Sequence, residues 1–222
     1  MHTSTERKAR IFLADQRPVL QNDNWRSYRT SYTTGTGSSA EEALSLHDDT
    51  LAPGAERQVE VKPGYTLWLL PVVGSVIIST YDREHTTVGA GESWWAETNT
   101  GKIFTLLNPF RDCLVNYLLL WVRTEPARCG TFTSSFHLMQ PKNRWHTIIN
   151  KKGMTAKLTM LEGRKEITYR PAAGLGAFLF VIQGAFEASG RLLQPRDALV
   201  LYEEEIEIEA LSQDAICLLL VS

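Results

Sequence analysis

A chain of 222 residues is long enough to bury a full core, and 23 basic against 25 acidic side chains leave a formal charge of -2. So balanced a charge disfavours nucleic acid and an anionic membrane surface as partners. Three cysteines, Cys113, Cys129 and Cys217, form no C-x-x-C pair and no even disulfide set, which argues against a zinc ribbon and for a reducing compartment.

In chain order, residues 1–8 lack the apolar core of a secretory signal. The longest apolar run, residues 114–122 with Asn116 inside it, is shorter than the ~18 residues of a membrane span, so a cytoplasmic protein is expected. An opening segment from Ile11 leads into a Gly/Thr/Ser stretch from Thr33 to Ser39 that reads as a mobile loop, and residues 41–46 suit either a helical turn or a strand entry. A first barrel then runs from about residue 44 to residue 123. Within it stands the phrase LWLLPVVGSVIIS followed by TTVGAGESWW, an apolar run into Gly74 and a small-residue corner before Glu92.

Residues 124–141 contain two prolines and read as a connection. A hairpin follows, with a Lys-Lys-Gly turn between HTIIN and MTAKLTML. The phrase then returns as AFLFVIQGAFEAS and RLLQPRDALVLYEEE, with Gly184 and Asp197 in the places of Gly74 and Glu92. The two glycines stand 110 residues apart, and such self-similarity implies two related units. The short β-branched and aromatic runs between turn residues predict an all-β protein of two jelly-roll-type barrels or sandwiches with few short helices. The expected division is a first domain over 1–123, the connection 124–141, and a second domain over 142–222.

In the acidic block from Glu203 to Glu209, Ile206 and Ile208 alternate with glutamates. That is the period of a half-buried strand, which is favoured over a cation site. Cys113 in an apolar context reads as a core thiol. Adjacent Trp94 and Trp95 must point to opposite faces of a strand, one into the core and one outward, while Trp68 and Phe104 are core candidates. His47, His85, His137 and His146, with Glu92 and Glu97, show no metal-ligand spacing, and no G-x-S-x-G elbow or Gly-rich phosphate loop is present.

The segments WRSYRTSY at residues 25–32 and LSLHDDTLAPG at residues 44–54 resemble the pirin family of two-domain cupins. Residues 178–210 resemble the quercetinase-like C-terminal cupin of that family. The resemblance implies a bicupin fold with one transition metal, iron as a rule, in the N-terminal barrel. In the family it is held by an H-x-H pair, a later histidine and a glutamate two residues beyond. Counted from Gly74 and from the corner before Glu92, these places fall here on Glu60, Lys62, Phe104 and Leu106. None of the three histidine places holds a histidine, and a lysine ammonium offers a metal no lone pair.

The resemblance therefore implies the fold without the usual metal centre: no cofactor, no metal ligand and no catalytic residue, with Glu60, Lys62, Phe104 and Leu106 as cavity candidates. If Glu60 and Lys62 face the barrel interior, Lys62 supplies the positive charge a metal would have brought. If Val59 and Val61 face the core instead, both charges lie in water. The expected function is a non-enzymatic small-molecule-binding or regulatory protein, with a small anionic or aromatic ligand or a protein partner. The alternative is a metal-dependent quercetin 2,3-dioxygenase-type oxygenase with non-standard ligands.

Overall fold

The structure is a computed structural model that describes residues 9–34, 41–80, 85–124, 129–137, 142–151, 153–172, 175–202 and 205–221. It divides into two compact units, one of residues 17–136 and one that joins residues 1–16 to residues 137–222. This corrects the expected division at both ends. Strand β1 (Ala9–Phe12) pairs antiparallel with a strand of the C-terminal half, so residues 9–16 belong there. Part of the expected connection is instead a strand of the N-terminal barrel.

That barrel is built from β2 (Val19–Gln21), β3 (Trp25–Thr34), β4 (Glu41–Leu51), β5 (Glu56–Val61), β6 (Tyr65–Val73), β7 (Ser75–Ser79), β8 (His85–Gly89), β9 (Glu92–Glu97), β10 (Lys102–Leu107), β11 (Val115–Arg123) and β12 (Gly130–Ser135). One sheet has the order β12-β9-β6-β11-β4-β3-β2 and the other β5-β10-β7-β8. Residues 41–46 are strand, because the pairing of β4 with β3 and β11 supplies their backbone partners. Thr33 and Thr34 lie in β3, while the rest of the stretch expected as a loop, residues 35–40, lies outside the described residues.

The second unit adds β13 (His146–Lys151), β14 (Met154–Leu161), β15 (Glu166–Tyr169), β16 (Ala177–Gln183), β17 (Phe186–Ala188), β18 (Arg191–Leu193), β19 (Ala198–Leu201), β20 (Ile206–Ala210) and β21 (Ala215–Val221). Its sheets run β1-β19-β16-β21-β14-β13 and β15-β20-β17-β18. The predicted hairpin is β13 and β14, with Lys152 outside the described residues. In β20 the isoleucines are buried while Glu207 is exposed, and Glu205 just before the strand is exposed as well. Glu203 and Glu204 lie outside the described residues.

Each unit closes on its own apolar core, Leu67, Leu69, Val76, Trp94, Phe104 and Leu119 among others in the first, Leu179, Val181, Phe186, Leu199, Ile208 and Leu219 in the second. Full burial of such a side chain is worth ~1.5–3 kcal/mol, so these interiors dominate the stability of each barrel. The repeated phrase folds alike in both. Gly74 and Gly184 have φ of 81° and 75°, a region that favours glycine. Glu92 Oε2 accepts the Gly89 N–H at 2.8 Å, and Asp197 Oδ2 accepts the Gln194 N–H at 2.8 Å. The acidic residue of each copy therefore closes the same three-residue turn. Asp197 also accepts the Ala14 N–H at 2.7 Å, which fastens the end of the first segment to its barrel.

Cys113 is exposed, which corrects the core reading. It lies in the turn before β11, outside the alternation that buries Val115 and Tyr117, whereas Cys217 is the buried thiol. Trp94 is buried and Trp95 stacks on Phe132 at 5.5 Å, the divergence expected of strand neighbours. His85 opens β8 and is exposed, and the turn expected before it, residues 81–84, lies outside the described residues.

Candidate functional site

The register of β5 against β10 decides which face carries the family's ligand places. Val61 stands opposite Lys102, Glu60 opposite Ile103, Val59 opposite Phe104 and Arg57 opposite Leu106. Cross-strand partners in an antiparallel pair share a face. Phe104 and Leu106 are buried in the core, so Val59 and Val61 point inward with them. Glu60 and Lys62 are exposed, and Glu60 borders an open outer hollow with Gln58 and Thr105. The inward reading of Glu60 and Lys62 is thus corrected. A slip of one residue reverses every side chain of a strand, and the count from Gly74 arrives one residue away from the inward set.

The interior at this level therefore consists of Val59, Val61, Phe104 and Leu106, none of which has a lone pair for a transition metal. Among the described residues no three His, Cys, Asp or Glu side chains come together as a metal group. These four side chains do not fit the metal that the resemblance implies. Phe104 packs edge to face on Trp94 with centroids 4.9 Å apart, and the Lys102 ammonium stands 5.5 Å from the Phe104 ring. Above this pair opens a cleft of about 430 Å³, lined also by Ile78, Ala96, Thr80 and Thr131.

The opposite flank of the interior is polar. On β3 and β4, Ser27 pairs with Asp49 and Arg29 with His47, and on β11 Tyr117 and Leu119 stand opposite the same two residues. Asp49 is fully buried and forms an ion pair with Arg57, which reaches across from β5. The Arg57 guanidinium lies 4.5 Å over the Trp25 ring, and the Ser27 and Tyr117 hydroxyls are buried beside the pair without a hydrogen-bond partner in the protein. Burial opposes the Arg57 charge, yet Asp49 more than offsets it and holds the guanidinium proton more firmly than usual. Burial pushes the Asp49 carboxyl up against the pull of Arg57, and it raises Tyr117 well above the usual phenol range, with the Asp49 charge adding to it. A guanidinium does not give up its proton inside a protein, so Asp49 serves as its counter-charge.

His47 sits at the edge of this group. Its ring is 4.5 Å from Trp121, and its Nε2 lies 3.3 Å from Ser45 Oγ. Burial first, then the charges of Arg29 and Arg57, push its pKa down to about 3, so it is neutral throughout the physiological range. On the other face of β4, Asp48 meets Arg17 at 3.3 Å and accepts from Asn116 at 2.9 Å. Sequence reading missed the Asp49 and Arg57 pair. Its signal is a carboxylate two places from Leu51 and an arginine two places from Val59, each at the inward parity of an apolar strand.

Residues 146–221 match the quercetinase C-terminal cupin domain family. No curated protein matches the chain by sequence. Among solved structures, YhhW from Escherichia coli superposes with a TM-score of 0.81 at 16% identity, covering 96% of this chain and 97% of that one. Its nickel(II) complex, described as a bacterial pirin, gives a TM-score of 0.78 at 16% identity over 96% and 98%. Quercetin 2,3-dioxygenase from Acinetobacter baumannii gives 0.69 at 14% identity over 96% and 85%. At such identities the likeness carries the fold and no chemistry. The chain has the bicupin fold of these bacterial pirins, and its residues 146–221 are similar to the quercetinase C-terminal cupin domain.

Proposed function

We propose that this bicupin binds a small planar acidic molecule without transforming it, as a regulatory or interaction protein whose N-terminal barrel works without a transition metal. The observation that carries the reading is the cleft over Trp94 and Phe104, with Phe104 at the place the family gives to its later histidine. The buried aromatic pair, with Ile78 and Ala96, gives the cleft an apolar floor for a flat ring, and Lys102 at its rim offers a charge for a carboxylate. A barrel of this size commonly holds one small ligand. The unpaired exposed thiols of Cys113 and Cys129 accord with a reducing, cytoplasmic setting.

Calorimetric titration with quercetin and with simple aromatic carboxylates, run beside an oxygen electrode, tests this. Saturable binding without oxygen uptake is the expected result. Lys102→Gln is expected to weaken the acids by about two- to fivefold, the worth of an exposed ion pair. Oxygen uptake with quercetin that scales with bound metal would overturn the reading in favour of a quercetin dioxygenase.

A further inference from the structure

We propose that the N-terminal barrel holds an oxyanion site, separate from the aromatic cleft, in which Arg29, His47 and Arg57 receive a small carboxylate or phosphate group. Arg29 and His47 stand opposite each other on β3 and β4, on the face that carries Asp49, and Arg57 reaches the same face from β5. Two guanidinium charges thus meet a single carboxylate. Asp48 lies on the other face, engaged by Arg17 and Asn116, and Glu56 and Glu60 are exposed. Among the described residues, no second carboxylate balances Arg29.

The polar atoms there are also incomplete. Arg29 Nε and His47 Nδ1 are both buried and meet no hydrogen-bond partner in the protein. A buried donor left unpaired is costly, and the excess charge makes an anion the complement that answers both deficits. The histidine cannot supply the balance, since burial first and then the two arginines keep it neutral. Neutral imidazole with Nδ1 protonated donates to an oxyanion as a backbone amide would. Arg29 and His47 are only half-buried, so the group is open to an entering ligand. Trp121 against His47 and Trp25 under Arg57 flank it with rings, which suits a carboxylate carried on an aromatic body.

Titration of ¹⁵N-labelled protein with benzoate, acetate and inorganic phosphate, followed at the Arg29 Nε–H and His47 ring signals, tests the site. Saturable shifts are expected. Benzoate tighter than acetate identifies a ring-bearing carboxylate, and phosphate tighter than both identifies a phosphate ester. Arg29→Gln is expected to weaken binding at least about tenfold, the worth of a charge-assisted hydrogen bond, while Arg29→Lys retains part of it. Lys102→Gln is expected to leave it unchanged, so failure of this site and failure of the cleft are read separately. No saturable shift with any of the three anions, or equal affinity in Arg29→Gln, would overturn the proposal.

Discussion

His47 is the residue whose environment is most easily read in solution. Its pKa falls from 6.5 to about 3 on folding, so between those values the unfolded chain binds a proton that the folded one refuses. The stabilising effect of the neutral ring is complete above pH 6.5 and declines as the pH falls towards 3, at about 1.4 kcal/mol per pH unit. Urea unfolding at pH 6.5, 5.5 and 4.5 is expected to show that slope reduced by one proton in His47→Gln. An identical slope in the variant would mean that the ring titrates normally. The Asp49 and Arg57 pair gives a second test. Asp49→Leu alone leaves a buried cation and is expected to cost about 3–5 kcal/mol, whereas Asp49→Leu combined with Arg57→Met recovers most of that loss in the same unfolding assay.

At the scale of the strand, register outweighs residue counting. The alternation of Val59 and Val61 with charges in β5 was legible, because period 2 is a local property. The face was not, because it depends on Val59 lying opposite Phe104, a pairing across some 45 residues. The ion pair was hidden for another reason: its members are only eight residues apart in sequence, but they come from different sheets. The glycine corners were legible and are tight. A Cβ on Gly184 would lie 2.8 Å from Ala215 Cβ and would also collide with Ser212 Oγ, whereas Gly190, at a similar φ of 73°, has open space around it. Gly184→Ala is accordingly expected to cost about 2–4 kcal/mol and Gly190→Ala only about 1 kcal/mol, measured by thermal or urea unfolding. Equal losses would show that φ alone matters at the corner.

For the whole molecule, the duplication was visible in the sequence because each copy repeats the same corner and the same acidic turn closure. The partition of the chain was not. Nothing local to residues 9–12 says that they will pair with β19, some 190 residues away, and cover an edge that would otherwise stand open. The larger consequence concerns the N-terminal barrel. The inward places at its ligand level hold Val59, Val61, Phe104 and Leu106, and its interior charge is supplied by Arg57 and Asp49. Metal content is measured by inductively coupled plasma mass spectrometry on protein produced with iron, nickel, copper and manganese supplied and purified without chelators. Well under one metal ion per chain is expected, unchanged in Glu60→Ala; one equivalent of a transition metal bound in the N-terminal barrel would overturn the apolar assignment of its ligand level.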